Sequence, residues 1–248
     1  LDLDVQAPIK IPDSFIEKAL KGGPTAIAHS IMSTQMNRVR REVTHLRKKF
    51  GNDIILVAGG PHASARPKEL MELGFDYVVI GEGERVFPDM LYNWMKGIDA
   101  VNIAGLVSTE SREYPTPRDL PRVDLDDVPP FALKMNVVGP VEVTRGCPFN
   151  CKFCATPFLT GGVVRHRSVN SVEYWLRKAV EERGFNRTWL LSPNAFCYGG
   201  RGRKPVPERI ETLLKTVTAI DGLDEVFFGS FPSEVRPEFV TKGLLEMF

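Results

Sequence analysis

The sequence predicts an α/β protein: a doubly wound, Rossmann-like parallel sheet followed by the first part of a parallel (βα) barrel. Two observations predict it. From about residue 13 to 108, short continuously apolar segments such as Ile54–Ala58 and Tyr77–Ile80 alternate with amphipathic stretches, as expected of strands covered on both faces by helices. After residue 136 the alternation resumes as βαβαβα, the pattern of a parallel barrel.

The elements follow in order. Asp13–Lys21 reads as a short helix closed by Gly22-Gly23, and Thr25–Ser30 as a strand. Asn37–Phe50 is a helix with Val39, Val43, Leu46 and Phe50 on one face. Asp53–Ala58 is a strand. Pro67–Leu73 is a helix with proline at its start and Gly74 at its end. Asp76–Ile80 is a strand, Glu84–Gly97 a helix and Ala104–Ser108 the last strand of this half. Ser111–Pro130 then contains five prolines and little apolar period, so it should be extended. Val141–Thr144 starts the second half. Ser171–Arg183 is a helix, begun by Ser168 or Ser171 and stopped by Gly184. Thr188–Ser192, Pro207–Ile220, Glu225–Gly229 and Pro237–Met247 continue as strand, helix, strand and helix. The implied domains are residues 1–110, a linker over 111–135, and 136–248.

Composition narrows the function. Lys+Arg 32 against Asp+Glu 31 leaves a net charge of +1, which argues against nucleic-acid binding by charge. No apolar run approaches the ~20 residues that span a bilayer. The chain begins at Leu1 and ends at Phe248 inside a helix-like pattern, so the expectation is a fragment of a longer protein.

Three of the four cysteines lie within eight residues, as Cys147-Pro-Phe-Asn-Cys151-Lys-Phe-Cys154. An odd number of thiols without secretory cues argues against disulfides. Thiolates converging on a metal explain the spacing better. Structural zinc wants four ligands, usually in two pairs; Cys197 or His166 could complete such a set, but neither lies in a paired motif. An iron–sulfur cluster is held by thiolates, and three on a four-iron cluster would leave one iron open.

Ligands of open α/β sheets sit beyond the carboxyl ends of the strands. Those ends offer Ser30, Met32, Ser33, Thr34, Gly59, Gly60, Pro61, His62, Gly81 and Gly83. No G-x-G-x-x-G follows a strand, so a dinucleotide site is not expected. Glu82 and Glu84 suit a helix dipole and read as structural. In the second half, the strand ends offer Ser192, Asn194, Ser230 and Glu234. Turn chemistry is their plainer reading. Cys197 reads as a buried structural thiol, and Arg201, Arg203 and Lys204 as a solvated basic loop.

The segment VEVTRGCPFNCKFC resembles the first strand and cluster loop of the radical S-adenosylmethionine superfamily. The resemblance implies a [4Fe–4S] cluster on Cys147, Cys151 and Cys154 that binds and reductively cleaves S-adenosylmethionine to a 5′-deoxyadenosyl radical. It also implies an adenine contact from Phe153, and S-adenosylmethionine contacts from the second and third strand ends. Members often carry an acidic residue near the second strand end, which Ser192-Pro193-Asn194 does not supply. AHSIMSTQ, VAGGPHAS and VVIGEGE resemble the cobalamin-binding domain that precedes the barrel in many of these proteins, here without its usual first strand and helix. Histidine-ligating relatives carry Asp-x-His-x-x-Gly; the residues around His62 are Gly60-Pro61-His62-Ala63-Ser64-Ala65, so cobalamin without a histidine lower ligand is expected. The resemblance implies methyl transfer to an unactivated carbon. Cyclisation, rearrangement or oxidation, and a non-catalytic metal-binding module, stand as alternatives. A small-molecule or peptide substrate, an electron donor such as ferredoxin or flavodoxin, and a cytoplasmic setting complete the expectation. Only 101 residues follow Cys147 (248 − 147), enough for about three βα units of a barrel.

Overall fold

The computed structural model describes residues 11–98, 102–231 and 234–247. The chain divides into two compact units, one ending at Arg122 and the other beginning at Val123.

In the first unit, helix α1 (Asp13–Gly22) precedes strand β1 (Thr25–Ser30), helix α2 (Met36–Phe50) and strand β2 (Ile54–Gly59). Helices α3 (Pro61–Ala65) and α4 (Pro67–Leu73) lead to strand β3 (Tyr77–Val79), helix α5 (Gly83–Met95) and strand β4 (Leu106–Ser108). The sheet order is β1-β2-β3-β4. Alternation along the strands sends side chains to opposite faces. Leu56, Ala58, Val78 and Ile80 join one core with Ile16 of α1, with Val39, Val43 and Leu46 of α2, and with Leu70 of α4. Val57 and Val79 join another with Met90 of α5 and Leu106. Both faces are therefore covered, as the apolar runs predict. Truncating a buried anchor such as Leu46 to alanine costs about 3 kcal/mol.

One strand departs from expectation. β1, β2 and β3 are parallel, but β4 is antiparallel to β3, with Leu106 opposite Val79 and Ser108 opposite Tyr77. The chain thus re-enters the sheet at the carboxyl end of β3, where the Ile80 amide donates to the Gly105 carbonyl at 2.7 Å. Three residues at a sheet edge carry the same apolar signal in either direction, so periodicity did not distinguish them.

The second unit opens with strand β5 (Val141–Glu142), then strand β6 (Thr144–Arg145), helix α6 (Thr156–Thr160) and strand β7 (Arg165–His166). Helix α7 (Val169–Arg183), strand β8 (Arg187–Leu191), helix α8 (Pro207–Thr218), strand β9 (Glu225–Phe228) and helix α9 (Lys242–Leu245) follow. β5, β8 and β9 form a parallel sheet in chain order. Val141, Val143, Leu190 and Phe228 pack with Leu176 of α7 and with Ile210, Leu213 and Val217 of α8. The strand expected over Val141–Thr144 is split: its first part joins this sheet, and its end turns into a hairpin with β7. The helix expected over Pro237–Met247 is a 3-10 turn, Pro237–Phe239, and then α9. Thr241 separates them, extended and capping α9 by accepting from the Leu244 amide.

Residues 111–135, expected as a proline-rich spacer, fall on both sides of the division. Tyr114 and Leu120 pack on the first core. Phe131 and Leu133 belong to the second. Among the described residues, no helix is long and apolar enough to cross a membrane.

Candidate functional site

The loop carrying Cys147, Cys151 and Cys154 leaves β6 and returns through β7. Its base is fixed by the sequence. Gly146 has φ +89°, and a Cβ there would meet the Val163 carbonyl oxygen at 2.2 Å, so only glycine lets the two arms approach. The Cys147 amide donates to Gly161 O at 3.1 Å and the Cys154 amide to Cys151 O at 2.9 Å, the latter turning the third cysteine back beside the second. Arg145 pairs with Glu142 through its Nε at 3.0 Å. His166 accepts from the Thr144 hydroxyl at Nδ1, 2.9 Å, and donates from Nε2 to Gly200 O, 2.7 Å.

All four cysteines are unpaired; Cys154 is exposed, Cys147 and Cys151 are half-buried, and Cys197 is buried. Burial pushes the Cys147 thiol up. The Phe149 amide offsets part of this, and the neighbouring Cys154 and Cys151 push it further up. Among the described residues, no three His, Cys, Asp or Glu side chains are gathered closely enough to hold a metal ion. The chemistry of the donors still fits an iron–sulfur cluster, which takes thiolates: three free thiols stand on one short loop. Zinc fits less well. His166 is bonded at both ring nitrogens, and Cys197 donates its thiol to Gly202 O at 2.9 Å.

At the ends of β8 and β9, three of the four predicted residues come together. The Ser192 amide donates to Glu234 Oε1 at 3.3 Å, and the Ser192 hydroxyl accepts from the Asn194 amide nitrogen at 3.2 Å. Asn194 is 5% exposed, yet neither its side-chain oxygen nor its side-chain nitrogen has a partner. A buried amide left unpaired costs about 1–3 kcal/mol, so this group suits a polar ligand that supplies both a donor and an acceptor. Burial raises the Glu234 carboxyl above its ordinary value, opposed by hydrogen bonds from the Ser192 and Phe231 backbone. Ser230 lies exposed just beyond β9. Phe153 is 93% exposed and covers nothing.

In the first unit the predicted loops are tied to one another. The Ile31 amide donates to Gly59 O at 2.9 Å, and the His62 amide to Ile31 O at 2.9 Å. Gly60 has φ +89°, and a Cβ there would stand 2.8 Å from the Ile31 nitrogen; the glycine serves this internal approach. Gly81 donates its amide to Ser64 Oγ at 2.9 Å. Ser30, Met32, Ser33 and Thr34 are exposed, Gly59, Gly60, Pro61, Gly81 and Gly83 half-buried, and His62 buried. Glu82 occupies the N-cap position of α5, its side chain 3.4 Å from Arg122 rather than on the helix end, and Glu84 occupies the first turn of that helix.

Sequence reasoning missed Arg167. It is 1% exposed and donates to Glu142 O, Val128 O and Ser171 Oγ. Its backbone carbonyl accepts from the Tyr198 hydroxyl at 2.8 Å. This arginine ties the segment before β5 to the start of α7. An Arg-His-Arg run after a Gly-Gly turn was the available signal. It reads equally as an exposed strand.

The B12 binding domain family matches residues 1–91. An uncharacterized methyltransferase of Pyrococcus horikoshii is 33% identical over 245 residues, covering 82% of this chain and 51% of that protein; the chain thus spans about half the relative's length. The cobalamin-dependent radical SAM methyltransferase TokK of Streptomyces tokunonensis is 27% identical over 201 residues, covering 71% of this chain and 28% of that one. In three dimensions, the cobalamin-dependent S-adenosylmethionine radical enzyme OxsB, solved with aqua-cobalamin and S-adenosylmethionine bound, aligns with a TM-score of 0.65 at 18% identity, over 86% of this chain and 31% of that one. Residues 1–91 thus match a B12-binding domain, and the chain is similar in sequence to a relative named as a cobalamin-dependent radical SAM methyltransferase.

Proposed function

We propose that this chain is the cofactor-binding part of a cobalamin-dependent radical S-adenosylmethionine enzyme that methylates an unactivated carbon. One observation carries the reading: a B12-binding domain and a C-x3-C-x2-C loop follow one another on a single polypeptide. The unpartnered amide of Asn194, just beyond β8, supports it.

In this reading Cys147, Cys151 and Cys154 hold the [4Fe–4S] cluster. Phe153, Ser192, Asn194, Ser230 and Glu234 serve S-adenosylmethionine. Ser30, Met32, Ser33, Thr34, Gly59, Gly60, Pro61, His62, Gly81 and Gly83 serve cobalamin. When bound, these groups supply the electron, the radical and the methyl group. The chain's own part is placement. Asn194 offers one donor pair and one acceptor from a buried position, where hydrogen bonds gain from the absence of water. Glu234 offers a carboxylate oriented by the Ser192 amide, a partner for an ammonium group. The substrate is a small molecule or peptide. Electrons come from a small carrier such as ferredoxin or flavodoxin, in a reducing cytoplasm that keeps the thiols free.

The test is anaerobic reconstitution with iron and sulfide, followed by electron paramagnetic resonance of the reduced protein with and without S-adenosylmethionine. A four-iron signal that shifts on adding S-adenosylmethionine is the expected result. Zinc in place of iron, or a cluster indifferent to S-adenosylmethionine, overturns the reading.

A further inference from the structure

We propose that Arg236 sets the reduction potential of the cluster, an inference that rests on the reading above that Cys147, Cys151 and Cys154 hold one. Phe149 is the middle residue between Cys147 and Cys151. The Arg236 guanidinium carbon lies over its ring, 3.8 Å from the centroid. The same ring meets Phe239 at 6.2 Å, so two residues of the segment after β9 grip the cysteine loop through one side chain. Glu238 pairs with Arg236 and holds the fork in place. From this seat, stacked on a residue between two of the cysteines, the guanidinium charge bears on both Cys151 and Cys147.

The physical consequence has a definite sign. On reduction the cluster takes one electron from an external one-electron donor and becomes one unit more negative. A fixed cation beside the loop that carries the ligand sulfurs stabilises that added charge. Arginine does not lose its proton at any working pH, so the effect is constant. Glu238 opposes it in part. Arg236 is thus a positioning residue: it acts on the cluster through the loop and needs no contact with substrate.

The experiment uses the full chain, reconstituted anaerobically and titrated with dithionite in the presence of redox dyes, the reduced cluster being followed by electron paramagnetic resonance. Arg236→Gln is expected to lower the reduced-to-oxidised ratio at a fixed poise about tenfold, equivalent to about 59 mV for a one-electron couple. Arg236→Lys, which keeps the charge, should recover most of that loss. Glu238→Gln, on the exposed side of the pair, should shift the potential the opposite way. If Arg236→Gln and Glu238→Gln both leave the potential unmoved, the inference is overturned while the cluster reading stands. If the parent chain takes up no four-iron cluster, the reading falls and the inference with it. Should Arg236→Gln not retain a cluster, the sign of the Glu238→Gln shift decides.

Discussion

The hydroxyl of Ser33 lies 2.9 Å from Nδ1 of His62, joining the loop after β1 to the helix after β2. On the other side of the ring, Nε2 stands 3.5 Å from a Glu69 carboxylate oxygen, a charge contact too long for a good hydrogen bond. The imidazole is therefore anchored at Nδ1, while Nε2 has no hydrogen-bond partner and lies buried inside a residue only 6% exposed. Burial withholds that nitrogen from cobalt, and the Asp-x-His-x-x-Gly pattern of histidine-ligating relatives is missing around it. His62→Ala, loaded with cobalamin, should give the same visible absorption spectrum as the parent. The substitution should cost about 1–2 kcal/mol of stability through the lost tie between the loops. A spectrum that changes on substitution would assign His62 to the cobalt.

Asn194 separates binding from stability. Its buried amide has no partner in the protein, so removing it relieves a desolvation cost, and leucine keeps the same branching with a methyl in place of each polar atom. Asn194→Leu should unfold at a higher temperature than the parent, by a stability gain of about 1 kcal/mol. The same variant should need at least about tenfold more S-adenosylmethionine to shift the signal of the reduced cluster, because that ligand's polar groups lose their partner. A variant that binds S-adenosylmethionine normally would remove Asn194 from the site.

His166 makes the second unit sensitive to acid. Burial lowers its pKa from the ordinary value of 6.5, against a smaller opposing pull from the Gly200 carbonyl. In the folded chain the ring is neutral, since Nδ1 accepts from Thr144 while Nε2 donates. A depressed folded-state value means that the unfolded chain binds the proton more readily. The associated stability is present above 6.5 and is lost as pH falls below it, through the folded value. Unfolding midpoints should therefore drop below pH 6.5 more steeply in the parent than in His166→Gln. Parallel curves would place the acid sensitivity elsewhere.

Much of this was legible in the sequence because the signals are local. The apolar runs gave the strands, Gly184 and Ser168 gave the ends of α7, and the cysteine spacing singled out one loop in 248 residues. What escaped was relational. The direction of β4 depends on where the chain re-enters the sheet, which three apolar residues do not encode. The break at Thr241 depends on whether its hydroxyl caps a helix or decorates one. Arg167 and Arg236 look like surface charges in sequence, and only the packed chain shows one buried against backbone carbonyls and the other lying on Phe149. The strand-end residues gave a mixed result. Ser192, Asn194 and Glu234 converge, whereas Phe153 stands 93% exposed on its loop.

Cys197 should be chemically silent while the cysteines of the 147–154 loop react. Burial is the main reason its thiol is pushed up to about 12; Cys147 adds to the shift and Arg236 opposes it. The side chain is 1% exposed and donates to the Gly202 carbonyl at 2.9 Å. The thiolate is the nucleophile, and at pH 8 a thiol with so high a value supplies almost none. Brief iodoacetamide treatment of the reduced, folded, metal-free chain should therefore modify Cys154 first, as the exposed thiol, and leave Cys197 intact by peptide mass mapping. Unfolding in urea should bring Cys197 to the same rate as the others, which separates burial from any intrinsic inertness. Cys197→Ala should cost about 1–2 kcal/mol for the small cavity and the lost bond to Gly202, without altering iron uptake. Iron content that falls in that variant would make Cys197 a ligand and return the site to a four-thiolate design.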